Sequence, residues 1–329
     1  MLNYRFTLND KDITDKLLSV SYSENLEDVA SSFSFTSLED FDITSLTSDG
    51  KTRINTFKIY ERTQTNPFYI GVVTDYEHTT DVNVYSYSGY DVGFYLNKNE
   101  VIKQFKKANI GKAIESLCTE FNISATMPEF KATVSKIYKD VVLADILKEL
   151  LELERLKTSS KDLYIDCKNG KLNITRYQIE QNLTALIGSG FLVGSDSTYS
   201  NCSVKKSIQE LKNRVIYSDN NEKSLKRITA DDTNSIATYG LLTAVETVDT
   251  NKQNNLKQLA KTKLTELNKI KTEISKTLIA DYRVSKGKLI DFTNTDYGLT
   301  GIYLVKSASH EITAQKETVS VSIEKYLKT

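Results

Sequence analysis

The chain carries two histidines, His78 and His310. Imidazole is the side chain whose ordinary pKa suits proton transfer near neutrality. Each stands late in an alternating, strand-like run, where a lone histidine is ordinarily a structural hydrogen-bonder. The sequence holds no His-Glu-x-x-His, no Gly-x-Ser-x-Gly elbow and no Cys/His zinc spacing. Cys118, Cys167 and Cys202 are far apart, with no pair at metal-ligand spacing. An odd count of this kind fits buried or idle thiols in a reducing cytosol, not a disulfide framework. Asp231-Asp232 could suggest a metal, but capping of a helix that closes at Tyr239-Gly240 explains them more simply. A glycosidase carboxylate pair converges only in three dimensions, and nothing in the sequence supports one. The glycine cluster Gly188-Ser189-Gly190-Phe191-Leu192-Val193-Gly194 superficially matches a phosphate-binding loop. It lacks the preceding apolar strand and the following helix that such a loop needs, and reads as a connector. The residues give no catalytic, cofactor-binding or metal site, and no cofactor.

The elements around the histidines are more informative. From Lys286 to Leu327 the chain reads as three strands: Lys288–Phe292, Gly301–Val305 running on to His310, and the strictly alternating Thr318–Ile323. A period of two bounded by polar turns is the pattern of a half-buried antiparallel meander. The front of the chain has the same layout in Phe57–Arg62, Phe68–Val73 running on to His78, and Val82–Tyr87. Strand order, turn positions and the late histidine all correspond. The chain is expected to carry two copies of one β-module, separated by something different.

Before the first meander, Leu2–Leu8, Leu17–Tyr22 and Ser32–Thr36 read as strands. Asn109–Phe121 is an amphipathic helix with Asn109 as N-cap, and Val141–Leu156 a strong helix with a broad apolar face. Asn169-Gly170 marks a hairpin between Leu163–Cys167 and Lys171–Thr175. A strand over Gly240–Val248 precedes the longest helix, about Lys252 to Ile274, with leucines on one face and lysines on the other. The fold class is α+β, mainly β: two antiparallel β-barrel or sandwich modules with a covering helix, separated by a smaller α+β segment. The expected domains are 1–105, 106–200 and 201–329, the last containing the long helix 252–274.

Composition excludes some classes. At 329 residues the chain can bury two or three cores. Lys+Arg and Asp+Glu are both 43, giving a net charge of +0, whereas nucleic-acid binders neutralise phosphates with a basic excess. The lysine run 252–276 is diluted by Glu266 and Glu273 and reads as a solvated or protein-facing helix surface. No apolar run approaches the ~20 residues of a membrane helix, and the N-terminus alternates like a strand instead of a signal peptide. A soluble protein made in the cytoplasm is expected.

Several stretches together carry a resemblance. They are Tyr87-Ser88-Gly89-Tyr90-Asp91 with Tyr95-Leu96; Ser207-Ile208 with Lys212-Asn213-Arg214-Val215; Ser235-Ile236 with Tyr239-Gly240; the long helix; and Gly298-Leu299-Thr300-Gly301-Ile302-Tyr303 with Ser309-His310. Across most of its length the chain resembles the baseplate hub protein of contractile phage tails and phage-tail-like bacteriocins, the XkdQ-like, late-control group. The resemblance implies two tail-tube-like β-domains per chain and a homotrimeric ring. Such a ring would stack on a six-fold tail tube and seat a trimeric spike, alongside other baseplate proteins, in the tail of a virion or phage-tail-like particle. It implies no enzyme and transfers no catalytic motif. A tail-associated cell-wall-degrading enzyme and a carbohydrate-binding tail module are the alternatives.

Overall fold

The computed structural model describes residues 3–41, 43, 55–158, 162–179, 202–219, 227–248, 256–279, 281–294, 299–314 and 316–326. The chain divides into two compact units, one formed by residues 1–202 with 275–329 and the other by 203–274.

The first unit begins with β1 (Tyr4–Leu8), β2 (Lys11–Asp12), β3 (Leu17–Asn25), β4 (Ser32–Ser37), β5 (Thr56–Glu61), β6 (Tyr69–Thr79) and β7 (Val84–Tyr90). Alternation directs Phe6, Phe33, Phe35, Phe57 and Tyr87 to one face, where they are almost fully buried. Their rings stack across strands: Phe33 on Phe57 at 4.9 Å, Phe35 on Phe57 at 4.6 Å and Phe35 on Tyr87 at 4.8 Å between centroids. Offset stacks of this kind add to the burial of large apolar rings. Space for Phe33 comes from Gly89, where a Cβ would sit 1.9 Å from the Val72 carbonyl oxygen and 2.8 Å from the Phe33 ring.

The chain then builds a second core from α1 (Gly93–Lys98), β8 (Glu100–Asn109), α2 (Ile110–Glu120), β9 (Ala125–Thr126), β10 (Thr133–Val142), α3 (Leu143–Thr158), β11 (Leu163–Asp166), β12 (Leu172–Arg176) and β13 (Gln178–Ile179). Asn109 caps α2, its Oδ1 accepting from the Gly111 N–H at 2.9 Å. Ile146, Leu147 and Leu150 of α3 are fully buried. The β11–β12 hairpin turns through Gly170 at φ +76°, in the left-handed region glycine favours.

β14 (Cys202–Ser207) leads into the second unit, a sheet of β15 (Arg214–Asp219), antiparallel β16 (Arg227–Asp231) and, after α4 (Thr233–Tyr239), parallel β17 (Thr243–Val248). Asp232 caps α4 by accepting from Asn234 and Ser235 N–H, both at 3.0 Å, and Gly240 ends it at φ +79°. The helix α5 (Leu256–Leu267) packs on β15 and β16. The expected helix to Ile274 needs correction. Among the described residues α5 ends at Leu267, and β18 (Lys271–Ile279) follows. Asn268 stops the helix because its side chain is held by Asp232 at 2.8 Å and Ser235 at 2.6 Å. Beyond it, Thr272, Ile274 and Thr277 are β-branched at alternate or near-alternate places, which favours a pleated strand. α3, with 16 residues, is longer than the 12-residue α5.

The chain returns to the first unit through residues 275–279 of β18 and closes with β19 (Lys288–Asn294), β20 (Leu299–Thr313) and β21 (Glu317–Lys325). β3 pairs antiparallel with both β4 and β20, so front and closing strands share one sheet, in the order β21-β20-β3-β4-β7-β6-β5-β1-β2. The fold is mostly β, as expected, and its sheets form no closed barrel among the described residues.

Gly89→Val is expected to destabilise the chain by about 1–3 kcal/mol, because the added Cβ meets backbone that cannot swing aside. Urea unfolding with an unchanged slope and a lower midpoint checks this.

Candidate functional site

The two meanders agree in register as well as in order. β5-β6-β7 and β19-β20-β21 are both antiparallel, and each middle strand carries one bulge in its pairing with the third. In the front meander it falls between Val73 and Asp75, opposite Gly89 and Ser88; in the closing meander it falls between Val305 and Ser307, opposite Ile323 and Ser322. Beyond the bulges, Asp75 pairs with Ser88 and His78 with Tyr85, while Ser307 pairs with Ser322 and His310 with Val319. Both histidines therefore stand at the same rung. A shared bulge at a shared place is a specific feature of a strand pair, since bulges fix local twist and register.

The environments of the two histidines differ. His310 is fully buried and stacks on Tyr22 of β3 at 4.1 Å, while its Nε2–H donates to the Val284 carbonyl at 2.9 Å. Its Nδ1 has no hydrogen-bond partner among the described residues, so a second proton would be buried unpaired. Burial drives its pKa down to about 3. His78 is exposed, stacks on Tyr85 at 4.2 Å and lies 3.2 Å from Asn83 Oδ1. Among the described residues neither ring is hydrogen-bonded to an ionisable side chain.

Next to His310 the front, middle and closing stretches meet over buried charges. Glu24 of β3 is almost wholly buried; one carboxylate oxygen pairs with Lys168 Nζ at 3.2 Å and the other accepts the Lys286 backbone N–H at 3.0 Å. Lys286 is itself inaccessible and donates its ammonium to the carbonyls of Asn25 and Asp28 at 3.2 and 3.1 Å. Burial opposes charging of Lys168, but Glu24 with Asp166 and Asp91 outweighs it, and its pKa is raised. Asp91 accepts from the N–H groups of Ser31 at 3.0 Å and Gly93 at 2.8 Å, yet burial pushes its pKa up to about 7. At Gly287, with φ +80°, a Cβ would sit 2.3 Å from the Tyr164 ring. The sequence signalled none of this, since isolated lysines and glutamates read as solvated.

Other flagged residues have structural roles. Cys118 and Cys167 are buried free thiols; burial raises the Cys118 pKa to about 11. The Cys202 side chain and the 188–194 glycine cluster lie outside the described residues. Asp231 forms a two-point ion pair with Arg214 at 2.8 and 2.9 Å, and Asp232 caps α4. Asn213, inaccessible, donates to the Gly240 carbonyl at 2.7 Å and accepts from Leu242 N–H at 2.8 Å. Among the described residues no three His, Cys, Asp or Glu side chains are placed to hold a metal ion, and no helix is long and apolar enough to cross a membrane.

Comparison with known proteins places this geometry. The YQBQ-like family matches residues 20–324. The chain belongs to the YQBQ-like family. Phage-like element PBSX protein XkdQ of Bacillus subtilis (strain 168) is 23% identical over 253 residues, covering 75% of each chain. In fold, the chain is similar to the 43 kDa tail protein of prophage MuSo2 from Shewanella oneidensis, with a TM-score of 0.70, 11% identity and 98% of each chain covered. It is also similar to the E. coli c3393 protein, a component of the type VI secretion system described as structurally similar to the T4 bacteriophage tail proteins gp27 and gp5. There the TM-score is 0.56 and the identity 8%, over 98% of this chain and 77% of that one. In fold this YQBQ-like chain is of the phage-tail-protein type.

Glu24→Gln leaves Lys168 without its buried counter-charge and is expected to cost about 3–5 kcal/mol in unfolding free energy. The pH dependence separates His310 from Asp91. His310, depressed to about 3, contributes stability present above its ordinary 6.5 and lost as pH falls toward 3. Asp91, raised from 3.8 to about 7, has the opposite sign: stability declines as pH rises through that window. His310→Phe is expected to leave stability falling with rising pH between about 4 and 7, and Asp91→Asn to leave it rising between about 3 and 6.5, in unfolding series across pH.

Proposed function

We propose that the chain is the hub of a tail baseplate, a homotrimeric ring that adapts a six-fold tail tube to a three-fold spike. The observation that carries this reading is the repeated meander, with one bulge at the same rung of both copies. Two alike modules per chain give six quasi-equivalent positions when three chains close a ring. The same ring presents three identical whole chains to a spike, so symmetry does the adapting without a chemical step. The domains are read accordingly: a first tube-like β-module in 1–105, an α+β middle in 106–200, and a second module in 201–329 into which the compact unit 203–274 is inserted.

The fold likeness to a prophage tail protein, and to a chain described as similar to the T4 tail proteins gp27 and gp5, supports a place in the tail. Partners on this reading are a tail tube protein, a trimeric spike protein and other baseplate proteins. The chain is made in the bacterial cytoplasm and built into the tail of a virion or phage-tail-like particle. Likeness in fold to proteins described as tail proteins supports a structural role. Neutral overall charge fits protein partners better than nucleic acid.

Native mass spectrometry of the chain mixed with its spike and tube proteins is expected to give three copies per spike trimer. A stable complex with one or two copies per spike trimer contradicts the hub.

A further inference from the structure

One face of the sheet that joins the two meanders is paved with hydroxyls. Register fixes which side chains share it, because directly paired residues lie on the same face. One rung runs Ser320↔Ser309↔Ser23↔Ser32 through β21, β20, β3 and β4, and ends at Tyr90 of β7. The next runs Thr318↔Glu311↔Ser21↔Ser34↔Ser88. A third runs Thr313↔Ser19↔Thr36↔Ser86. From β21 to β4 every position in these rungs except Glu311 is serine or threonine. On β6 the second and third rungs end at Asp75 and Glu77, both exposed. Hydroxyls pair across strands, Ser19 with Thr36 at 2.7 Å, Ser21 with Ser34 at 2.8 Å and Ser23 with Ser309 at 2.8 Å. Ser34, Ser309, Glu311 and Ser320 are exposed.

The opposite face is a packed one. Alternation turns Val20, Tyr22, Phe33, Phe35, His310 and Val319 to that side, where all are buried. Glu24 lies there too, and Lys168 of the middle segment meets it at 3.2 Å. The middle segment therefore reaches Glu24 on the packed side, away from the hydroxyls. An ordinary solvated face carries long charged side chains of both signs. The chain has 43 lysines and arginines, yet none stands in the three rungs. The charges these rungs do carry, on Glu311, Asp75 and Glu77, are all negative.

We infer that this hydroxyl face lines the channel of the ring, as a wall along which a nucleic acid passes without binding. It rests on the homotrimeric ring proposed above and assigns that ring its inner surface. Both meanders share the one face, so three chains turn the same chemistry to the axis from all six meanders. A nucleic acid is held by cations that neutralise its phosphates and by aromatic rings that stack on its bases. The three rungs offer no cation, one aromatic ring at their edge, and carboxylates that repel phosphate. Short hydroxyls keep the wall flat and hydrated, and leave no apolar patch on which a polymer could lodge.

Cysteine labelling of the free chain and of the ring assembled with spike and tube proteins tests this. Ser34→Cys and Ser309→Cys exchange one exposed hydroxyl for a thiol, and are read against the unsubstituted chain with its three cysteines. In the free chain both are expected to react with N-ethylmaleimide and with a maleimide coupled to a folded carrier protein. In the ring the small reagent is expected to keep reacting and the carrier-borne one to stop. A ring in which the carrier still reacts has this face outside, and one in which neither reacts has it buried between copies. Either result overturns the inference and leaves the hub standing. Ser34→Lys with Ser309→Lys puts cations on the wall, and that ring is expected to retain linear duplex DNA at low salt, but not a closed circle. Retention of both forms, or of neither, overturns it as well. A chain that forms no ring with spike and tube present overturns both.

Discussion

Seven rungs of backbone pairing join β3 to β20. They are the constraint on which the rest of the first unit depends, since through them a strand from the start of the chain and a strand from its end become neighbours in one sheet. That pairing buries Tyr22 and His310 against each other, aligns Ser23 with Ser309 at 2.8 Å, and places Glu24 where Lys168 and Lys286 converge. It joins the front and closing meanders in one sheet. The loop-closure entropy of a contact across some 290 residues grows only slowly with length, and is offset by aromatic burial and a fully paired ladder.

The buried charges make the junction specific as well as stable. A buried ion pair seldom adds more stability than a well-packed apolar cluster would, because both ions lose their hydration. What the Glu24, Lys168 and Lys286 arrangement adds is directional: the Glu24 carboxylate accepts from Lys168 and from the Lys286 N–H, the Lys286 ammonium donates to the Asn25 and Asp28 carbonyls, and a slip of one rung would leave a carboxylate or an ammonium buried without a partner. A junction of this kind tolerates little sliding between the front and closing strands.

Much of the fold was legible in the sequence where local pattern decides it. The meanders alternate cleanly, Asn169-Gly170 turns a hairpin, Asn109 and Asp232 cap helices, and the late histidines do occupy one rung. β8 and β10 leave little strand signal: Glu100–Asn109 is crowded with lysine, only Val101 and Phe105 of it are well buried, and exposed Ile102 and Ile137 blur the alternation. The end of α5 was missed because Leu267, Ile270 and Ile274 continue a helical spacing that tertiary bonds to Asn268 override. The buried cluster could not be seen at all. Glu24 and Lys286 are brought together by sheet pairing, and a single sequence marks neither as different from the lysines and glutamates on the surface.

The measurement that bears most directly on the central claim is a cryo-EM reconstruction of the chain with its tube and spike proteins, solved without imposed symmetry. The account expects three copies around one axis, with the front and closing meanders alternating at six equal angular steps and superposing strand for strand through the bulges at Thr74 and Lys306. Meanders that lie at different radii, or copies arranged in any number other than three, would contradict it.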